Sequence, residues 1–255
     1  MNPPEIHAPA IAWRIEELGE VISTNDLALD RARQGEPEGL VIRADSQTKG
    51  RGRLGRSWLS PPEFGLYFSA LLRPLLPGDQ LAALSLVCAV AIAEGLEEIG
   101  GIQAGLKWPN DIRLGGKKIA GILLEYESSG AATSAVIAGV GLNLKSPSVG
   151  YPDEFASRTT SMEAAGCRLP PEGEILRALL NRLDLRYRDY LDSGFESLRK
   201  RWELLSDGIG GRVSISIEGG QMEGTMRGID GAGRLILDTG DGELHSIDTG
   251  EIIES

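Results

Sequence analysis

Apolar positions along this chain follow two different spacings, and the change from one to the other divides it. Ile175, Leu179, Leu183 and Tyr187 recur every fourth residue with Leu176 and Leu180 beside them, which predicts an amphipathic helix from about Glu174 to Leu191 whose leucines are core. Gln80 to Leu96 has the length and composition of a largely buried helix. A shorter helix is predicted from Ser23 or Thr24, either able to act as N-cap, through Asp26, Leu27 and Leu29 to about Gln34, where Gly35 and Pro37 end it. Leu40 to Ala44, Gly65 to Leu72, Gly121 to Tyr126 and Ala135 to Leu144 read as strands. Arg113 and Leu114 lead through Gly115-Gly116 into Lys117, and two glycines supply the positive φ of a tight hairpin turn.

Trp202, on a following short helix, reads as core. After Ser206 the period becomes two. Val213, Ile215 and Ile217 alternate with Ser214 and Ser216, and Gly219-Gly220, Asp230-Gly231 and Asp241-Gly242 punctuate short strands. The pattern therefore predicts an α+β main domain over residues 1–206 and a small module of about five strands over residues 207–255.

Composition narrows the function classes. The chain has 255 residues, 41% hydrophobic and 25% charged, ordinary values for a globular protein with a sizeable core. Met1 to Ala10 lacks a basic region followed by an apolar stretch, and no apolar run reaches the roughly 18 residues of a membrane span, so a cytoplasmic protein without membrane partners is expected. Cys88 and Cys167 read as buried thiols. His7 and His245 have no metal-ligand spacing and no adjacent nucleophile, which disfavours zinc and Ser/His chemistry. A net charge of -11 argues against gripping a nucleic-acid backbone.

Against that acidic background, Gly50-Arg51-Gly52-Arg53-Leu54-Gly55-Arg56-Ser57-Trp58 concentrates three guanidiniums among three glycines. Glycine permits positive φ and close approach, and arginine presents a rigid fork of donors matched to phosphate or carboxylate oxygens. Gly50, Gly52 and Gly55 formally satisfy GxGxxG, but Ser60, Pro61 and Pro62 follow and lead into a strand, where a dinucleotide turn would open a helix. Three further clusters stand downstream: Lys107-Trp108-Pro109-Asn110-Asp111, Lys117 to Ile122, and Gly139-Val140-Gly141-Leu142-Asn143. Each alone is weak, since Asn110-Asp111 could be a turn and Asn143 a strand cap.

Taken in order, Ser23-Thr24-Asn25, Gln47-Thr48-Lys49 running into Gly50 to Trp58, Lys107 to Asp111, Lys118 to Glu125 and Gly139 to Asn143 resemble the successive motifs of the biotin protein ligases. The resemblance runs from residue 23 to 144 in motifs and to the C-terminus in layout, because that family ends in a small SH3-like β barrel. It implies a mixed-sheet catalytic domain of the biotin/lipoate ligase type, followed by that barrel. Bifunctional members carry an N-terminal DNA-binding winged helix, for which the 22 residues before Ser23 are short, so a monofunctional form without a nucleic-acid partner is expected.

The implied reaction joins the carboxylate of biotin to the α-phosphate of ATP and passes the acyl group to a lysine of a biotin carboxyl carrier protein, with Mg²⁺ sharing the phosphate charge. Such chemistry rests on positioning and electrostatics. By resemblance, Ser23, Thr24 and Gln47 hold the ureido group, in a biotin site that also includes Asn25, Gly50, Gly52 and Gly121. Arg51 and Arg53 counter developing charge, and Lys118 holds the carboxylate and later the anhydride. Asp111 orients or deprotonates the carrier amine. Arg53, Arg56, Trp58, Lys107, Asn110 and Asn143 serve the nucleotide, and metal ligands are left unassigned. Lys49 to Trp58 is expected to be mobile when empty and ordered over the adenylate. Family members often pair through the sheet, which leaves a homodimer open. Two other readings stay open: a lipoate-type ligase on the same fold, disfavoured because an aliphatic acid offers nothing to Gln47, and a non-catalytic module that binds an adenylate or a partner.

Overall fold

Residues Arg14–Val21 form β1, a strand that the hydrophobic pattern does not mark. Its sequence RIEELGEV is charged and mostly exposed; parallel pairing with β2 (Leu40–Gln47) along one side holds it in place. Charges on this outermost strand also blunt pairing with other chains. Between the two strands runs α1 (Thr24–Arg33), capped by Ser23, whose hydroxyl accepts from the Asp26 N–H at 3.4 Å. The computed structural model describes residues 8–129, 132–147 and 150–253, so His7 lies outside the described residues.

The main domain continues through β3 (Gly65–Leu72), a 3₁₀ turn at Gly78–Ala83, α2 (Leu84–Gly100), β4 (Gly105–Lys107), β5 (Asp111–Leu114), β6 (Lys117–Ser129) and β7 (Ala132–Asn143). Three helices follow: α3 (Asp153–Ala156), α4 (Glu172–Ser193) and α5 (Glu196–Leu205). Gly115 and Gly116, both at positive φ, turn β5 into β6. The seven strands lie in the order β1-β2-β3-β7-β6-β5-β4, parallel only at β1–β2.

Both faces of the sheet are covered, which is why all eight residues of β3 are buried. On one face Val136, Ala138, Val140 and Leu142 meet the apolar sides of α2 and α4 in the main core, with Leu179, Leu183, Tyr187 and Trp202. On the other, Ala28 and Ala32 of α1 pack on Ile42, Leu71, Ala135 and Ile137. Helix α1 covers only part of that second face. Beyond its N-terminus the next β7 residues facing the same way are Gly139 and Gly141, which supply no side chains.

Five antiparallel strands make the C-terminal module: β8 (Arg212–Ile217), β9 (Gly220–Ile229), β10 (Leu235–Asp238), β11 (Leu244–Ile247) and β12 (Glu251–Ile253), in the order β11-β10-β9-β8-β12. Ile215, Met226 and Leu235 belong to the same apolar cluster as the main domain, and the Trp108 indole donates to the Gly233 carbonyl at 3.2 Å. Cys88 is buried, as the apolar run around it implies, whereas Cys167 is only partly covered. Among the described residues no helix is long and apolar enough to cross a membrane.

Glu94 is the one charged residue of α2 that is buried, at 6% exposure; it pairs with Arg186 of α4 at 2.7 Å and Arg201 of α5 at 2.9 Å. Burial pushes its pKa up, but hydrogen bonds from the two guanidiniums outweigh that and hold it below the ordinary 4.5. A depressed carboxylate stabilises the fold above its unfolded pKa and loses that contribution as pH falls through the folded value. Glu94→Gln should therefore be less stable than the parent in urea unfolding at neutral pH, with the gap closing below about pH 4. A gap independent of pH would show that the charge pairing contributes nothing.

Candidate active site

The arginine-rich segment leaves β2 and folds back as a narrow hairpin. Gly52 N–H donates to the Arg56 carbonyl at 2.7 Å and Trp58 N–H to that of Gly50 at 2.8 Å, with a 3₁₀ turn at Arg53–Gly55 as its tip. Positive φ falls on Leu54 (56°) and Gly55 (73°), while Gly52 is extended. Gly50 serves close approach instead: a Cβ there would lie 2.5 Å from the Trp58 carbonyl and 2.6 Å from Ser60 Oγ.

Each guanidinium of the hairpin has a partner within the protein. Arg51 pairs with Asp26 at 2.6 Å and with Glu125 at 2.7 Å. Arg56 forks onto both oxygens of Glu251 in β12, Nη2 to Oε2 at 2.6 Å. These hydrogen bonds to Glu251 raise the Arg56 pKa. Arg53 reaches only the Gly250 carbonyl, at 3.4 and 3.5 Å, and burial lowers its pKa against the attraction of Glu251. Among the described residues no carboxylate forms an ion pair with Arg53.

Beneath the hairpin lies the bare part of the sheet. Gly121 of β6 and Gly141 of β7 are directly opposite one another, and the Trp58 indole rests on both. A Cβ on Gly141 would stand 2.3 Å from indole Nε1, and one on Gly121 would stand 3.1 Å from Cζ3. Lys118 Nζ lies 5.3 Å from the ring centroid, within cation–π range, and 2.5 Å from Asp111 Oδ1. The Trp58 N–H is buried and has no acceptor among the described residues.

Next to this seat, polar groups at the start of α1 form a connected chain. Ser69 Oγ of β3, across from Gly139 of β7, lies in hydrogen-bond reach of Thr24 Oγ1 at 2.7 Å and donates to Asn25 Oδ1 at 2.6 Å. Gln47 Oε1 accepts from the Thr24 N–H at 2.9 Å, Gln47 Nε2 donates to Ser60 Oγ at 2.9 Å, and Ser60 Oγ donates to the Trp58 carbonyl at 3.1 Å. Asn25 Nδ2 donates to Glu125 at 2.7 Å, and a Cβ on Gly139 would strike Asn25 Oδ1 at 2.1 Å. The structure thus gathers Thr24, Asn25, Gln47, Gly50, Trp58, Lys118 and Gly121 around one floor, while Ser23 caps α1.

The remaining candidates stand at its margin. Asn110 Nδ2 donates to the Ile122 carbonyl at 2.6 Å, and buried Asn143 Nδ2 to that of Thr160 at 2.9 Å, so both amides brace backbone. Lys107 lines a cleft of about 670 Å³ between the main domain and the C-terminal module, together with Arg158, Asp207 and Arg212. Sequence reasoning missed Asp26, Glu125 and Glu251 as partners of the arginines, and missed Ser60 and Ser69. Ser69 had a signal, a lone serine within the apolar strand GLYFSALL. Among the described residues no group of three His, Cys, Asp or Glu could hold a metal ion.

A glycine-floored seat with amide and hydroxyl groups at one end, an ammonium at the other and guanidiniums above suits a ligase that activates a small carboxylic acid as its adenylate. The chain belongs to the biotin protein ligase family. Residues 18–143 match the Biotin/lipoate A/B protein ligase family, and residues 208–253 match the Biotin protein ligase C terminal domain. The bifunctional ligase/repressor BirA of Bacillus subtilis is 39% identical over 89% of this chain and 70% of its own length. A biotin–[acetyl-CoA-carboxylase] ligase of Mycobacterium tuberculosis is 33% identical over 94% of this chain and 89% of its own. The biotin protein ligase of Aquifex aeolicus, solved in complex with biotin and ATP, superposes with a TM-score of 0.80 at 32% identity, covering 94% of this chain and 97% of that one.

Gly141→Ala should lift the Trp58 indole from the sheet, because the new methyl would sit 2.3 Å from Nε1. The expected outcome is a red shift in the Trp58 emission, isolated by subtraction of a Trp58→Phe protein. An unchanged spectrum would mean that the glycine pair is not the seat of the indole.

Proposed function

We infer that this protein makes biotinyl-adenylate from biotin and ATP and transfers the biotinyl group to a lysine of a biotin carboxyl carrier protein. The observation that carries the reading is the glycine-floored seat between the Thr24–Gln47 polar end and Lys118, under a cationic lid. In the first step a carboxylate oxygen of biotin bonds to the α-phosphorus of ATP, and pyrophosphate leaves. In the second the neutral lysine amine attacks the acyl carbon; an amide forms, and AMP departs with the electrons of the broken C–O bond.

Neither step needs an enzyme nucleophile, so the residues work by alignment and charge. Ser23, Thr24, Asn25 and Gln47 supply hydroxyl and amide groups for a ureido head that both donates and accepts. Gly121 and its opposite Gly141 let the ligand lie against backbone, with Gly50 and Gly52 keeping the lid close above it. The Trp58 ring seals the seat and moves aside as the ligand enters. Arg51 and Arg53 face the anionic end, with Arg53 the better placed for phosphate because among the described residues its hydrogen-bond partner is a carbonyl. Lys118 turns from Asp111 to the ligand carboxylate, and that exchange uncovers Asp111 for the ammonium of the incoming lysine. Asn110 and Asn143 keep their Oδ1 atoms for the nucleotide, and Lys107 faces its outer phosphates. Mg²⁺ fits as an ion carried on the phosphates, since such ions need few protein carboxylates.

Incubation with ATP, Mg²⁺ and either biotin or lipoate should release pyrophosphate with biotin, followed by label transfer to a carrier domain. Release with lipoate alone would favour the other acid, and binding without release would favour a non-catalytic module. Arg53→Ala should weaken adenylate retention about 10- to 150-fold, the worth of one charge-assisted hydrogen bond. Unchanged retention would remove Arg53 from the site.

A further inference from the structure

Resting on that activity, we infer that Glu251 of the C-terminal module is a positioning residue for the arginine lid and that Arg56 is its strut, not a ligand of the nucleotide. This reassigns Arg56, which by resemblance belongs with the ATP contacts.

The geometry distinguishes the three guanidiniums by what already occupies them. Arg56 has both terminal nitrogens on both oxygens of one carboxylate, the fork-on-fork arrangement that satisfies arginine most fully. Arg51 is likewise held by carboxylates, from Asp26 and Glu125 on the opposite flank of the hairpin. Arg53 stands between them, is the more buried, and among the described residues donates to a neutral carbonyl at long range. A phosphate arriving at Arg56 would have to displace an equivalent anion and would gain little. At Arg53 it would displace a dipole and gain a charge partner.

The post that holds Arg56 is itself fixed. Glu251 and Ile252 pair with Ser216 and Ile215 of β8, and Ile252 is buried. Gly250 sits so close that a Cβ would approach the Ser216 carbonyl to 2.8 Å. Two adjacent residues of this corner, Gly250 and Glu251, thus take hydrogen bonds from two lid arginines distant in sequence. The module thereby holds the tip of the hairpin while Asp26 and Glu125 hold its base. What lies between is a guanidinium aimed by its neighbours.

A charge swap tests the assignment. Glu251→Gln should speed dissociation of preformed biotinyl-adenylate about three- to fivefold, the scale of an exposed ion pair, and leave the KM for biotin unchanged. Arg56→Glu and Glu251→Arg should each be worse alone, and the double variant should recover most of the loss. If Arg56 binds phosphate directly, the double variant will stay as defective as Arg56→Glu and the KM for ATP will rise in both, which overturns the strut. Unaltered dissociation in Glu251→Gln would overturn it as well. Trypsin cleavage at Arg51 and Arg53 without any ligand gives a readout independent of activity: faster in Glu251→Gln and restored in the double variant if the strut exists, equal in all if it does not. Failure of the parent protein to form adenylate would count against the activity alone.

Discussion

Three guanidiniums within six residues repel one another, and an acidic protein must decide where their charge goes before any ligand arrives. Here two of them are neutralised by carboxylates from three distant places: the first turn of α1, the middle of β6 and the start of β12. That compensation ties the lid to both domains at once. The C-terminal module that carries Glu251 also shares an apolar core with the main domain. Among the described residues Arg51 and Arg56 pair with carboxylates, and Arg53 reaches a carbonyl.

The second constraint is the shortness of α1. Its alanines cover one part of the sheet and stop at Ser23, so the surface beyond must be closed by something else. Glycines at 121, 139 and 141 leave backbone exposed there, and Trp58 and Asn25 come down onto it. A flat ligand and an indole ask the same thing of a floor. Among the described residues the buried N–H of Trp58 finds no acceptor, whereas that of Trp108 donates to the Gly233 carbonyl.

Much of this architecture is legible in local patterns. The four-residue recurrence from Ile175 to Tyr187 marks α4, which extends two residues beyond each predicted end, and Gly115-Gly116 marks the β5–β6 hairpin. The Ser23 cap follows from residue chemistry alone. β1 is not legible, because an edge strand held by parallel pairing along one side needs no apolar alternation, and its glutamates mimic a loop. The acidic partners of the arginines are hidden for another reason: Arg51 and Glu125 are 74 residues apart, Arg56 and Glu251 195. No spacing rule connects them. The expectation that the lid glycines adopt positive φ holds for Gly55 but not for Gly52, and Gly50 is required by the closeness of Ser60 and Trp58.

The pairing of β3 with β7 carries a kinetic consequence. It joins Gly65–Leu72 to residues Val136–Asn143, so the middle of the sheet closes only after a long intervening stretch has found its place. Contacts of that separation form late and slowly. Ser69 and Gly139, which shape the polar end of the seat, are partners in this very ladder. A group that bound only where this ladder is complete would stabilise the folded chain against global unfolding.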